Sequence, residues 1–410
     1  MLVLPLFVFA QSHGLKTFIN SANSTNGLIK AKEINIKSKQ EQVEAAKSAY
    51  WPTVDVGADY ALLSPNYLAS PGKVGNVYAS VSMDLYDGGR KDALLRAKGF
   101  EHEASLFEKS AFEKSITLEI VRHYYGIQTL KATIHALEER STELKAQIRR
   151  VKKFKSAGLS TQEDIDKLVS VYENNNFTLE NTRLTLETSE ENLQLISGLS
   201  AKQLKRNYFK EPKNIHFELF ENIKILQANA SAIGENATAI EASYMPQVSL
   251  SDTYHKSHFD DLVTAPGISG DGFLIDHQNK LMVSVSMRLF DKGKMSKESE
   301  GVKYQKLSLL SQIDHAKKEQ KMNFKLAGKS LKTTRTKLKS AKSALKAAKS
   351  TYNVIRQKFE VGLVDNIAFL DALAQRTLAD ALYKETVYDY EIRKSIYYYY
   401  AGKSPKEFIR

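Results

Sequence analysis

Two hydrophobic periodicities alternate along this chain, and each occurs twice. Val54, Val56, Ala58, Tyr60 and Leu62 alternate with Thr53, Asp55, Gly57, Asp59 and Ala61. Val77, Ala79, Val81, Met83 and Leu85 alternate with Tyr78, Ser80, Ser82, Asp84 and Tyr86. Val248, Leu250 and Tyr254 do so against Gln247, Ser249 and Ser251, and Leu281, Val283, Val285, Met287 and Leu289 against Met282, Ser284, Ser286 and Arg288. A period of two with one apolar face predicts half-buried strands. Their length also suits tilted strands crossing a bilayer, with the apolar side to lipid. A soluble sheet covered by helices is the competing reading of the strands alone. Turn-rich loops separate them, over 63–76 and 255–279.

Each strand pair leads into a long stretch with helical periodicity. No proline occurs between Gly89 and Pro212, or between Gly293 and Pro405. In the second stretch Phe324, Ala327, Leu331, Thr334, Leu338, Ala341, Leu345, Ala348, Tyr352, Ile355 and Phe359 are spaced three and four apart. That heptad seam predicts packing as a coiled coil. Leu130, Ile134, Leu137, Leu144, Ile148 and Val151 form a less regular seam in the first. Both helices end at a glycine, Gly158 or Gly362, which suits a left-handed C-cap. A returning helix follows, with the seam Ile165, Leu168, Tyr172, Leu179, Leu186, Leu193 and Ile196 in the first case. The pattern is an αα-hairpin. The descending rod from Gly89 spans about 100 Å, and the returning one about 55 Å. A further helix near 217–243, of about 40 Å, completes the match across a connector at 202–214.

The chain is internally duplicated. Ser80 to Arg90 (SVSMDLYDGGR) reappears as Ser284 to Lys294 (SVSMRLFDKGK), and Gly158-Leu159 as Gly362-Leu363, all at an offset of 204. Tyr50-x-Pro52-x-Val54 matches Tyr244-x-Pro246-x-Val248 at 194. We therefore expect a first repeat over 11–205, with strands at about 52–62 and 76–86 and a hairpin tip at 157–160. The second covers 206–410, with strands at about 246–255 and 280–290 and a tip at 361–364. The apolar residues 1–10 read as the remnant of a signal peptide, with Val8 and Ala10 placed for cleavage before Gln11.

Composition then narrows the classes. The absence of cysteine among 410 residues excludes disulfides, thiolate metal sites and cysteine nucleophiles. Mean hydropathy is −0.38, and no apolar run is long enough for a transmembrane helix. The net charge of +12 raises a nucleic-acid reading, but the excess lies between Lys317 and Lys358, off the seam. No aromatic stacking platform accompanies it. No HExxH, P-loop or GxSxG motif is present, so no enzyme and no cofactor is expected. His255, His258, Asp260 and Asp261 are the best metal candidates, yet their position reads as a solvated loop, and no metal site is assigned.

The ordered, duplicated motifs resemble those of the TolC family of outer membrane efflux proteins. They are the Tyr50-Trp51-Pro52 and Tyr244-Met245-Pro246 entries, the Asp87-Gly88-Gly89 and Asp291-Lys292-Gly293 exits, and the two tips, the second followed by Phe369-Leu370-Asp371-Ala372. The resemblance runs from about Leu15 to Gly402. It implies a mainly α fold of duplicated αββα repeats with a small membrane β part. It also implies a homotrimer whose long coiled-coil helices form an α-barrel, with four strands per chain contributing to a shared 12-stranded β-barrel. Open strand edges in lipid require such closure independently.

By the same resemblance the protein is a passive exit duct of a tripartite efflux or type I secretion system, in the outer membrane of a Gram-negative bacterium with a periplasmic extension. Its partners would be a periplasmic adaptor, an inner-membrane pump and outer membrane lipid, with no nucleic acid. Gly158, Leu159, Gly362 and Leu363 match the tips that meet the adaptor. Asp371 matches a gate carboxylate, and Asp164 the acidic member of the links that hold the closed state. The expected link partners are replaced by Val364 and Phe359, and Ala368 stands where another gate carboxylate is expected. Asp365 is a further candidate at the mouth. A soluble coiled-coil scaffold and a basic nucleic-acid-binding protein are the competing classes.

Overall fold

A computed structural model describes residues 12–67, 70–213, 215–263 and 274–410. The signal-like segment 1–10 and the Pro266, Gly267, Gly270 and Gly272 of the second loop lie outside them. Helices α1 (Leu15–Thr25) and α2 (Gly27–Ser48) precede strands β1 (Thr53–Leu62) and β2 (Lys73–Tyr86). Helices α3 (Arg90–Ser156) and α4 (Gln162–Ser197) follow. The second series is α5 (Glu221–Ala242), β3 (Gln247–Asp260), β4 (His277–Ser286), α6 (Lys294–Glu360) and α7 (Asn366–Tyr400). The duplication is visible in the lengths: α3 and α6 have 67 residues each, α2 and α5 22 each, and α4 and α7 have 36 and 35. The α1–α2 pair, which strand and seam periodicity did not announce, has weak local signals, and α2 buries only Ile29.

The chain divides into two compact units, each drawn from both repeats. One comprises 34–107 and 224–314, and holds the four-stranded antiparallel sheet in the order β1-β2-β3-β4. The register aligns Val54 with Val81 and Val248 with Val285, so one face carries Val54, Val56, Tyr60, Val81, Val283 and Val285. All six are exposed, so that among the described residues no helix covers this face. Asp252 interrupts it between Val81 and Leu281. The recurrent tyrosine before each strand pair has a duplicated task. Tyr50 donates to Asp92 at 2.5 Å, and Tyr244 to Asp291 at 3.1 Å, each tying a strand entry to the start of the long helix. Asp291 also accepts from the backbone N–H groups of Gly293, Lys294 and Met295, and the N–H of Met295 above all holds its pKa below the ordinary value.

The other unit comprises the segments up to Glu33, 108–223 and 315–410. Its first core gathers Phe18, Ile19, Ile120, Tyr124, Tyr125, Phe209 and Tyr398. The connector is anchored here by side chains: Tyr125 donates to the carbonyl of Asn207 at 3.0 Å, and Tyr398 to that of Lys210 at 2.9 Å. A second core, at the other end of the hairpins, joins Leu144, Val151, Ile165, Leu168, Tyr352, Phe359 and Phe369. Every position of the α6 seam from Phe324 to Phe359 is buried or half-buried, as its heptads predict. Gln320, one step before the seam, is buried as well and donates to the carbonyl of Glu218 at 2.7 Å.

Candidate functional site

The two hairpin turns are built alike. At Gly158 and Gly362 φ is +75° and +79°, and a Cβ there would meet nothing within 4 Å. Glycine is thus required by the backbone and not by crowding. The N–H of Leu159 donates to the carbonyl of Phe154 at 2.9 Å, and that of Leu363 to Lys358 at 2.8 Å, closing each helix by a Schellman-type bond. The leucine side chains are left outside, 76% and 73% exposed. Each turn therefore ends in an apolar knob on a short, backbone-rich surface.

The carboxylates near the turns have separate local roles. Thr161 caps α4, and Asp164 completes the capping box by accepting from the Thr161 N–H at 3.0 Å. The Thr161 N–H, then the hydroxyls of Thr161 and Ser160, hold the Asp164 carboxyl below its ordinary value. Asp365 caps α7, accepting from the Ala368 N–H at 2.9 Å. Asp371 is exposed in the second turn of α7, and among the described residues no hydrogen bond or ion pair engages it. Of the three gate candidates it alone has both oxygens available to a solute.

Val364 and Phe359, at the places of the expected link partners, contribute to the core instead. Phe359 stacks on Phe369 with ring centroids 4.9 Å apart, and Val364 packs against the same cluster. Links between the hairpins come from residues that the sequence did not single out. Arg150 lies over the Phe359 ring and donates to the Glu360 carbonyl at 2.5 Å. Asn366 donates to the Asp164 carbonyl at 3.4 Å. Arg376 pairs with Glu139 at 3.2 Å and covers the Tyr352 ring at 4.7 Å. No spacing in the sequence marks these three residues.

The loop expected at His255 to Asp261 is corrected: β3 continues to Asp260. Strand alternation sends His255 to the face opposite His258 and Asp260, because the strand period is two. Among the described residues no His, Asp and Glu group could hold a metal.

Residues 18–199 match the outer membrane efflux protein family. No curated protein matches the chain in sequence. Among solved structures the chain is similar to the outer membrane protein VceC from Vibrio cholerae, with 13% identity, a TM-score of 0.80, and coverage of 95% of this chain and 96% of that one. It is similar to the CmeC outer membrane channel of Campylobacter jejuni at 14% identity and a TM-score of 0.81, over 95% and 85% of the two chains. For the open state of the Neisseria gonorrhoeae MtrE outer membrane channel the values are 12% and 0.77, over 95% and 89%. The chain thus matches the outer membrane efflux protein family over residues 18–199, and over nearly its whole length it has the fold of these outer membrane channels.

Proposed function

We propose that this protein is the outer membrane exit duct of a tripartite export system, acting as a homotrimer with a periplasmic adaptor and an inner-membrane pump. The observation that carries the reading is the sheet. Four strands leave two edges without strand partners among the described residues, and one apolar face uncovered. In water such a face invites aggregation, and in lipid an open edge is too costly to persist. Closure with the sheets of further copies satisfies both requirements, giving a barrel with its apolar side to lipid. No helix among the described residues is long and apolar enough to cross a membrane, so the sheet is the element suited to that place.

Transport through such a duct is passive, with the energy supplied by the pump. The exposed Leu159 and Leu363 knobs, presented by Gly158 and Gly362, suit docking to the adaptor's own apolar tips. Asp371, repeated around a threefold axis, would form an acidic ring at the mouth, with Asp164 and Asp365 held nearby as helix caps. Such a ring attracts cations and is blocked by multivalent ones.

Membrane fractionation tests the reading. A heat-modifiable trimer in the outer membrane is expected, and full solubility without detergent would refute it in favour of a soluble scaffold. Asp371→Ala should weaken multivalent-cation block of single-channel conductance; unchanged block removes Asp371 from the constriction. Gly362→Glu should abolish export while the trimer persists, and normal export would end the docking role.

A further inference from the structure

Within the unit that holds the hairpins, α3 and α7 stand between α4 and α6. Asn175 of α4 donates to the Leu137 carbonyl of α3 at 3.0 Å, and Arg183 pairs with Glu138 at 2.7 Å. α3 joins α7 through Arg376 and Glu139 at 3.2 Å. α7 joins α6 through Phe369 and Tyr352, with ring centroids 6.2 Å apart. The outer members are α4 and α6. They meet only in the shared core at the turns, and among the described residues no hydrogen bond or ion pair joins them.

Both outer helices carry an exposed charged stripe, and the signs are opposite. Lys317 to Lys358 holds fourteen Lys and Arg against the single acid Glu319. One residue past successive seam positions stand Lys332, Arg335, Lys339, Lys342, Lys346 and Lys349, all exposed. Of these six, among the described residues only Lys349 reaches a carboxylate, Asp380 at 3.8 Å. On α4, one residue past Ile165, Tyr172, Leu179 and Leu186, stand Asp166, Glu173, Glu180 and Glu187, also exposed. Glu180 pairs with Arg183 of its own helix at 2.7 Å, while Glu173 and Glu187 have no basic partner among the described residues. Beside this stripe Phe177 is 72% and Leu184 63% exposed, so the flank is apolar as well as acidic.

The spacing of the two stripes is complementary. α4 begins at Gln162 and α6 ends at Glu360, side by side at the turns. The helices run antiparallel. An α4 laid along α6 with these ends level therefore sets Asp166 beside Arg356, Glu173 beside Lys349, Glu180 beside Lys342 and Glu187 beside Arg335. Each pair lies one heptad beyond the last, so all four stay on the same side of both helices.

We propose that the acidic flank of α4 in one copy docks on the cationic flank of α6 in the next copy, closing a head-to-tail ring. The inference rests on the homotrimer reading above and names the surface through which the copies recognise each other. A heterologous contact of this kind closes a ring when the rotation allows it. Single exposed ion pairs contribute little. Four in register act mainly by exclusion, because α6 against α6 and α4 against α4 would oppose like charges along their length. The excess of lysine on α6 then has a partner within the assembly, made of the same chain.

The chain has no cysteine, which makes the test direct. A Glu180→Cys, Lys342→Cys double variant, treated in outer membranes with a short thiol-to-thiol crosslinker, should give covalent dimers and trimers, whereas either single variant gives none. Reversal of α4 (Glu173→Lys, Glu180→Lys, Glu187→Lys) or of α6 (Arg335→Glu, Lys342→Glu, Lys349→Glu) should each lower the temperature at which the detergent-resistant oligomer dissociates. Both sets together should restore it. A trimer with neither the covalent ladder nor the rescue overturns the docking alone. So does a reversed α6 that changes ion selectivity and leaves the oligomer untouched, since the stripe then faces solute. A chain that stays monomeric in the membrane overturns the docking together with the duct reading.

Discussion

In the first half of the molecule Lys131 of α3 meets Glu190 of α4 at 2.7 Å and donates to the Lys202 carbonyl at 2.6 Å. In the second half Lys394 of α7, which occupies the repeat position of Glu190, meets Glu391 at 2.7 Å and donates to the Phe209 carbonyl at 3.0 Å. Each half thus uses a lysine, a carboxylate and a main-chain carbonyl to hold the connector. The lysine has changed helices, and its surroundings have changed more. Side-chain exposure is 35% and 17% for Lys131 and Glu190, against 4% and 6% for Lys394 and Glu391. The aromatic weight moves in the same way, from Tyr124 and Tyr125 on α3 to Tyr397 and Tyr398 on α7, while the α6 positions matching Tyr124 and Tyr125 are Gly328 and Lys329. The duplicated backbone is what the two halves share. Which helix supplies the anchor, and how dry the anchor is, differs between them.

The largest expected effect separates the two lysines. Lys394→Ala leaves the Glu391 carboxylate buried beside an unpaired Phe209 carbonyl, and should cost about 3–5 kcal/mol. Lys131→Ala removes a partly solvated pair and should cost no more than about 1 kcal/mol. Thermal or denaturant unfolding of the purified variants measures both, and equal losses would erase the distinction. Burial raises the Glu391 pKa, against the lowering by Lys394 and by the Phe209 N–H, so a Glu391→Gln variant should be tolerated better than Lys394→Ala.

The two turns should respond alike, and this sharpens the contrast. Gly158→Ala and Gly362→Ala each force a Cβ into the left-handed region without a clash, at about 1–2 kcal/mol. A twofold or larger disparity between them would mean that one turn carries a contact within the chain that the other lacks. Removing the α7 cap by Asp365→Ala should cost about 1 kcal/mol.

The smallest effect is a pH dependence at the start of α4. The folded Asp164 carboxyl titrates below its ordinary 3.8, so it binds its proton less tightly folded than unfolded. Its stabilisation is complete above that ordinary value and is lost as the pH falls through the lower, folded one. Thermal melts from about pH 5 down to about pH 2, a range that brackets that ordinary value, should show a component that disappears in Asp164→Asn. An unchanged profile would show that the capping box does not hold the charge.

Much of the fold was legible because it rests on periodic burial. The α6 seam, the four strands and the two glycine turns follow from side-chain spacing and from the demands of positive φ. The strand ends were less so: β2 begins at Lys73 and β3 runs to Asp260, because pairing with neighbouring strands extends a ladder past the point where alternation fades. Asn175 was also hidden, since a polar residue at a seam position reads as a gap until its bonds to Leu137 and Ser141 are seen. The candidate site divides in the same way. The Gly-Leu turns and the acids around them could be found in the sequence, whereas the capping roles of Asp164 and Asp365 and the hairpin links through Arg150, Asn366 and Arg376 could not.

The sequence by itself determined the duplication, the long helices, the strands and the place of the turns, because each depends on the order and spacing of residues close along the chain. Only the tertiary structure decided which lysine is buried, which carboxylate is a cap and which stays free, and which two helices stand outermost. Those properties depend on what approaches from far away in sequence: Phe209 from the connector, Glu360 from the other hairpin, and in the proposed assembly α6 from another copy.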